Sequence, residues 1–127
     1  MPRYVVLLHE LPPDEGRAPH WDLMLEQTGS LRTWALESEP SPAGEIAARQ
    51  LADHRPFYLE YEGPVSGNRG SVSRWDEGEY RVETETSKEL VVAMCGRRLR
   101  GLLTLRPLGS AESHSWRVSF RAVPTTG

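Results

Sequence analysis

The segment His20-Trp21-Asp22-Leu23-Met24-Leu25-Glu26 alternates between two kinds of side chain. Period-2 alternation predicts a β-strand with two chemically different faces. Trp21, Leu23 and Leu25 form an apolar face suited to a core. His20, Asp22, Met24 and Glu26 share the other. Two positions apart on one strand face are roughly 6–7 Å apart, from a rise of about 3.3 Å per residue, so the His20 imidazole and the Asp22 carboxylate can converge on one divalent ion. His9 ends a second strand-like run, Arg3-Tyr4-Val5-Val6-Leu7-Leu8-His9. If that run pairs with residues 20–27, His9 becomes a third ligand. Two imidazoles and one carboxylate with open coordination positions suit a catalytic transition metal.

The rest of the chain must position these groups. A length of 127 residues predicts a single domain with one core. The 11 glycines and 10 prolines fall between short apolar runs, which favours strands and turns over long helices. After residues 3–9 comes a polar, proline-rich loop over 10–19. The strand at 20–27 is followed by a turn at Thr28-Gly29-Ser30 and a strand over 31–36. Ile46, Ala47, Leu51 and Ala52 give residues 45–53 a partial helical stripe, so a short helix is expected there. A short strand is expected over Phe57–Tyr61, then a glycine-rich loop over 62–70. Strand-like segments follow at 71–75, 80–86, 89–94, 99–106 and 115–123, with turns at Asp76-Glu77-Gly78, Ser87-Lys88, Gly96-Arg97-Arg98 and Leu108-Gly109-Ser110. The fold class is mainly β: a small antiparallel barrel or sandwich of about eight strands with one short helix. Residues 124–127 are expected to be frayed.

Composition narrows the function. A net charge of −3 does not advertise nucleic-acid binding, so such a role must rest on a local patch. Lys88 is the single lysine among fifteen basic residues; arginine forks suit phosphate. Cys95 is the only cysteine, which excludes an intramolecular disulfide and suits a reducing, cytoplasmic setting. It is expected to be a small packing residue at a strand end. No apolar run is long enough for a signal peptide or a membrane span, so no membrane partner is expected.

Seven segments in order resemble the phosphoesterase domain of bacterial DNA ligase D, which also occurs as stand-alone proteins. They are Val5-Val6-Leu7-Leu8-His9, His20 to Glu26, Leu31-Arg32-Thr33-Trp34-Ala35-Leu36, Asp53-His54-Arg55-Pro56-Phe57-Tyr58, Glu60-Tyr61-Glu62-Gly63, Trp75-Asp76-Glu77-Gly78, and Gly96-Arg97-Arg98-Leu99-Arg100-Gly101. The likeness covers about residues 4–107. It implies a compact β-barrel with a crescent-shaped groove. It also implies removal of 3′-terminal phosphates and ribonucleotides from DNA ends, dependent on a divalent metal, preferably manganese. The family's metal ligands match His9, His20 and Asp22. A phosphate-engaging histidine and tyrosine match His54 and Tyr58.

The departures are specific. Where the family strand carries a phosphate-contacting arginine two residues after the aspartate, this chain has Met24, whose thioether has neither charge nor donor. Arg17 in the first loop, Arg49 before His54 and Arg69 in the 62–70 loop are the candidates to fill that role. The family's acidic residue two before the histidine is Ala52 here. Three functions stay open at this level: an active manganese-dependent 3′-end phosphoesterase, a DNA-end or repair-protein binding module of the same fold with weakened catalysis, and a metal-dependent phosphoesterase acting on another substrate. The acidic balance suggests that a DNA ligase or polymerase partner delivers the end.

Overall fold

Period-2 patterning is realised in nine strands among the described residues of the computed structural model, which are 1–12, 16, 18–110 and 112–123. In chain order they are β1 (Arg3–Glu10), β2 (His20–Gln27), β3 (Ser30–Leu36), β4 (Ile46–His54), β5 (Gly63–Pro64), β6 (Ser71–Glu85), β7 (Leu90–Gly96), β8 (Arg100–Pro107) and β9 (Ser115–Ala122). Neighbours run β1-β2-β3-β4-β9-β8-β7-β6-β5, all antiparallel, and β1 also pairs with β6. That last pairing closes eight strands into a barrel and removes their free edges; β5 is an extra two-residue ladder outside the closure.

The strands bury side chains on both sides of the barrel wall. Tyr4, Val6, Leu23, Leu25, Trp34, Leu36, Val92, Leu103, Leu105 and Val118 belong to the larger, interior core. Val5, Leu7, Met24, Leu31, Leu59 and Val72 form a second core on the outside, with Tyr58, Tyr61 and Val65 packed against it. The run Tyr4-Val5-Val6-Leu7 is therefore buried on both faces. Met24 belongs to this outer core and is only 1% exposed.

Three local expectations are corrected. The helix expected over residues 45–53 is instead strand β4, Ile46–His54. Ile46 and Ala48 face the interior core, and pairing with β3 and β9 overrides the helix preference of the alanines. Residues 57–61 do not form a strand. Pro56 opens a 3-10 helix, Pro56–Leu59, after Arg55 in the extended conformation that a following proline favours. The segments at 71–75 and 80–86 are one fifteen-residue strand. The anticipated turn at Asp76-Glu77-Gly78 instead pairs with Val6, Val5 and Tyr4, and Trp75 is the extra residue of a bulge. Cys95 is exposed on β7, so it is not the packing residue expected. Arg17 and the terminal residues 124–127 lie outside the described residues.

Asp76, next to the bulge, ties three elements together. It is 2% exposed. Its Oδ1 accepts the backbone N–H of Arg97 (2.9 Å) and of Arg98 (2.8 Å). Its Oδ2 accepts Leu99 N–H (3.0 Å) and the Tyr4 hydroxyl (2.5 Å). Burial, and then this contact with Asp76, push the Tyr4 phenol well above the ordinary tyrosine range. A Cβ at Gly96 would overlap the Tyr4 hydroxyl, so only glycine allows the β7–β8 turn to come this close. The Trp75-Asp76 and Gly96–Gly101 segments are thus the two halves of one structural joint, and the arginine-rich turn between β7 and β8 is held through its backbone.

Candidate metal centre and its groove

The register of β1 on β2 assembles the cluster. His9 pairs with His20 and Leu7 with Asp22, so the three polar side chains occupy adjacent outward positions at one end of the outer core. His9 Nδ1 lies 3.1 Å from His20 Nε2 and 3.5 Å from Asp22 Oδ2, and His20 Nε2 lies 3.1 Å from Asp22 Oδ1. One ligand atom from each residue falls within 4.8 Å of the others.

The surroundings fix how these atoms point. His9 Nε2 is 2.7 Å from the Arg69 carbonyl oxygen. That contact requires Nε2–H, which leaves the Nδ1 lone pair facing His20 and Asp22. When Nδ1 is protonated as well, it can donate to Asp22, which raises the His9 pKa above its ordinary value; burial opposes this, and the Arg69 carbonyl reinforces it. Burial alone would raise the Asp22 carboxyl, but the adjacent His20 and His9 imidazoles, as donors and positive charges when protonated, outweigh it and hold the group below the usual carboxylate range.

The donor set fits a divalent cation on a structural ground. Asp22 is 3% exposed, and its Oδ1 is buried without a well-aligned hydrogen-bond partner, although His20 Nε2 is nearby. A buried, unsatisfied carboxylate oxygen is costly. A cation between Asp22 and the two imidazoles would satisfy it, and nitrogen and oxygen donors together suit manganese, iron or zinc.

The other expected site residues are dispersed. His54 and Tyr58 meet each other, with ring centroids 5.5 Å apart in a T-shaped arrangement, and His54 Nδ1 is 2.9 Å from the Ala52 carbonyl oxygen. They do not meet the cluster. His54 pairs with Leu31 and Asp22 with Ala35, four residues further along β3, which separates the two rungs by about 13 Å. Arg69 turns back on its own loop, donating from Nε to the Ser66 carbonyl (2.7 Å) and from a terminal nitrogen to Ser66 Oγ (3.2 Å). Its backbone, not its guanidinium, touches the cluster. Arg49 is placed differently. It pairs with Ala35, which pairs with Asp22, so it lies two strands across on the same rung and outer face.

There Arg49 lines a groove of about 620 Å³, with His20, Ala35, Ala47, Glu37, His114, Ser115 and Arg117 among the other lining residues. His114 and Arg117 were not singled out in the sequence. Alternation along 115–122 does mark Ser115 and Arg117 as outward, but no local pattern tells that β9 lies beside β4.

The fold and site together define a closed antiparallel β-barrel with a His-His-Asp cluster on its outer face that could hold a metal ion. Comparison with known proteins identifies the family: the model of the DNA ligase D 3′-phosphoesterase domain matches residues 14–106. The chain belongs to that family, the one its seven segments resemble. The multifunctional non-homologous end joining protein LigD of Pseudomonas aeruginosa is 36% identical over 81 residues, covering 60% of this chain and 9% of that protein. The protein of the same name from Mycobacterium bovis is 29% identical over 99 residues, covering 71% of this chain and 13% of the relative. A LigD non-homologous end joining DNA repair protein of Mycobacterium tuberculosis matches to the same extent. The chain thus spans about a tenth of these relatives' length. Among the described residues no helix is long and apolar enough to cross a membrane.

Proposed function

We propose that the chain is a divalent-metal-dependent phosphoesterase acting on DNA 3′ ends, removing a terminal phosphate or ribonucleotide during end joining, with manganese as its metal. The observation that carries this reading is the convergence of His9 Nδ1, His20 Nε2 and the Asp22 carboxylate within 4.8 Å beside an open groove, in a chain of the ligase D phosphoesterase family. His9, His20 and Asp22 would hold the ion. When bound, such an ion polarises a phosphoryl oxygen and makes a water more acidic.

The chain's own groups do the rest. The Arg69 carbonyl keeps His9 in the tautomer that offers Nδ1. Asp22 stays ionised because its neighbours depress its pKa. Arg49 presents a forked donor to phosphoryl oxygens at the groove. His54 and Tyr58 donate to the substrate from the far side of Met24. Low affinity for DNA, expected from the net charge of −3, makes delivery by a DNA ligase or polymerase part of the same proposal. The lone, exposed Cys95 suits a reducing cytoplasm.

One observation favours a second reading, a DNA-end binding module with weakened catalysis: Met24 is locked into the outer core where the family strand carries an arginine. Incubation with manganese and a primer–template ending in 3′-phosphate separates the two. Phosphate release that disappears in His20→Ala supports the enzyme. Manganese binding and DNA binding without release support the module.

A further inference from the structure

We propose that the groove floored by Ala35 and Ala47 and flanked by Arg49, His114 and Arg117 binds the phosphodiester backbone of the substrate strand next to its reacting 3′ terminus. The inference rests on the DNA-end reading above and assigns that substrate a path across the protein.

Four observations carry it. First, the groove shares His20 with the metal cluster, so a strand lying in it ends at the candidate ligands. Second, its arginines are free. Arg49 and Arg117 are exposed and form no ion pair among the described residues, unlike Arg3, Arg32, Arg74, Arg81 and Arg106; Arg55, Arg69, Arg97, Arg98, Arg100 and Arg121 form none either, and what sets Arg49 and Arg117 apart is that they line the groove that holds His20. In an acidic protein, unpaired guanidinium groups gathered beside a metal-type cluster complement a polyanion. Glu37 is the one acidic lining residue, and it is exposed. By contrast Arg97 and Arg98 share their pocket with Glu62, Asp76 and Glu77. Third, the floor is made of small residues. Ala47 pairs with Arg117 and Ala35 with Arg49, so each arginine stands beside an alanine, leaving room for a sugar–phosphate chain. Fourth, the outer surface from the cluster toward His54 is backed by the apolar side chains of Met24, Leu31 and Leu59, which offer a phosphodiester chain no hydrogen-bond donor of their own.

β9 is held in place for this task. Gln50 N–H donates to the His114 carbonyl at 2.8 Å, and the β4–β9 pairing runs from Ile46 to Arg49. Arg117 is therefore set on a fixed strand, and His114, just before that strand, is tied to β4 through its carbonyl. Contacts of this kind position the nucleic acid without reading sequence.

The test is fluorescence anisotropy of a 5′-labelled single-stranded oligonucleotide ending in 3′-phosphate, titrated with the full chain in EDTA across a potassium chloride series. Arg117→Glu is expected to weaken binding roughly five- to tenfold at low salt and to flatten the plot of log affinity against log salt by about 0.7 or more, one phosphate contact's worth for a single strand. Ala47→Phe, which fills the floor without changing charge, is expected to weaken binding with little change in slope. Arg55→Glu, on the 3-10 helix side where Arg55 stacks over Phe57, serves as the comparator and is expected to change affinity less than twofold. Wild-type affinity and slope in Arg117→Glu would overturn the proposal, as would a loss in Arg55→Glu equal to that in Arg117→Glu. Phosphate release by the wild type from a primer–template ending in 3′-phosphate with manganese is measured in parallel. If that release is absent while the binding pattern holds, the enzymatic reading fails and the groove stands; if release occurs and the pattern is absent, only the groove fails.

Discussion

Asp76→Asn tests how the barrel is held around the site. The carboxylate accepts four hydrogen bonds, three from backbone N–H groups of the β7–β8 turn and one from the Tyr4 hydroxyl. An amide keeps one acceptor oxygen and replaces the other with a donor. If that oxygen stays on Arg97 and Arg98, the new NH2 group faces the Leu99 N–H. Leu99 is buried, so no water rescues its donor, whereas the exposed Arg97 and Arg98 can hydrate theirs. Hydrogen bonds to a charged acceptor contribute about 1.5–3 kcal/mol each and neutral ones about 1, and a buried donor left unmade costs about 1–3 kcal/mol. Losing the Leu99 bond and the charge assistance of the others gives about 3 kcal/mol for Asn. Removing every acceptor in Asp76→Ala gives about 4–5 kcal/mol. For a domain of this size 3 kcal/mol corresponds to a fall in Tm of roughly 10–15 °C. Urea unfolding followed by tryptophan fluorescence, with Tyr4→Phe as a partner variant expected to cost about 1–2 kcal/mol, measures both. A loss below about 1 kcal/mol for Asp76→Asn would refute the claim that this joint anchors the turn.

Three further outcomes follow from the site. Met24→Arg, which restores the family's residue type, is expected to lower stability by about 3 kcal/mol or more, because it puts a guanidinium among Val5, Leu7, Leu31 and Leu59. A variant as stable as wild type with faster phosphate release would show that this position faces substrate. Gly70 has φ +86°, and a Cβ there would overlap the Glu10 carbonyl, so Gly70→Ala shifts the loop whose neighbouring Arg69 carbonyl orients His9. Manganese affinity, read by calorimetry, should fall about 10–100-fold; an unchanged affinity would remove that carbonyl from the account. Manganese must displace the proton from His9, so the metal-induced rise in Tm should grow with pH up to and through the raised His9 pKa. The metal-free chain should do the reverse. The His9 contribution is full below about pH 6.5 and lost as pH rises through the raised folded value, and that of Asp22 is present above about pH 4 and lost as pH falls through its lowered one. A metal-induced shift independent of pH between 5.5 and 8 would contradict the ligand assignment.

What the sequence made legible depended on how local the signal was. The strict alternation of β2 and the apolar run of β1 specify their own faces, and those two strands pair in the register that brings His9 to His20. The barrel of eight strands came out right although its parts were partly misassigned. β4 reads as a helix because its alanines carry no strand preference, and only its neighbours β3 and β9 impose one. β6 reads as two strands because Asp76-Glu77-Gly78 has turn composition, while its partner Tyr4 and the β7–β8 turn hold it extended. Met24 looked like a member of a functional face. It is buried because the 3-10 helix at Pro56–Leu59 brings Leu59 onto that face from thirty-five residues away in sequence, a contact with no local signature. For the same reason Arg117 and His114 were invisible as groove residues, whereas Arg49, near a recognisable histidine, was not.

The central claim is most directly tested by inorganic phosphate release from a 3′-phosphate primer–template as a function of manganese, in wild type, His20→Ala and Asp22→Asn. Release should saturate with manganese in the wild type, vanish in EDTA, and fall by roughly two orders of magnitude or more in both variants while their far-ultraviolet spectra stay native. Release that persists in EDTA, or in folded Asp22→Asn at the wild-type rate, would contradict a metal centre built from His9, His20 and Asp22.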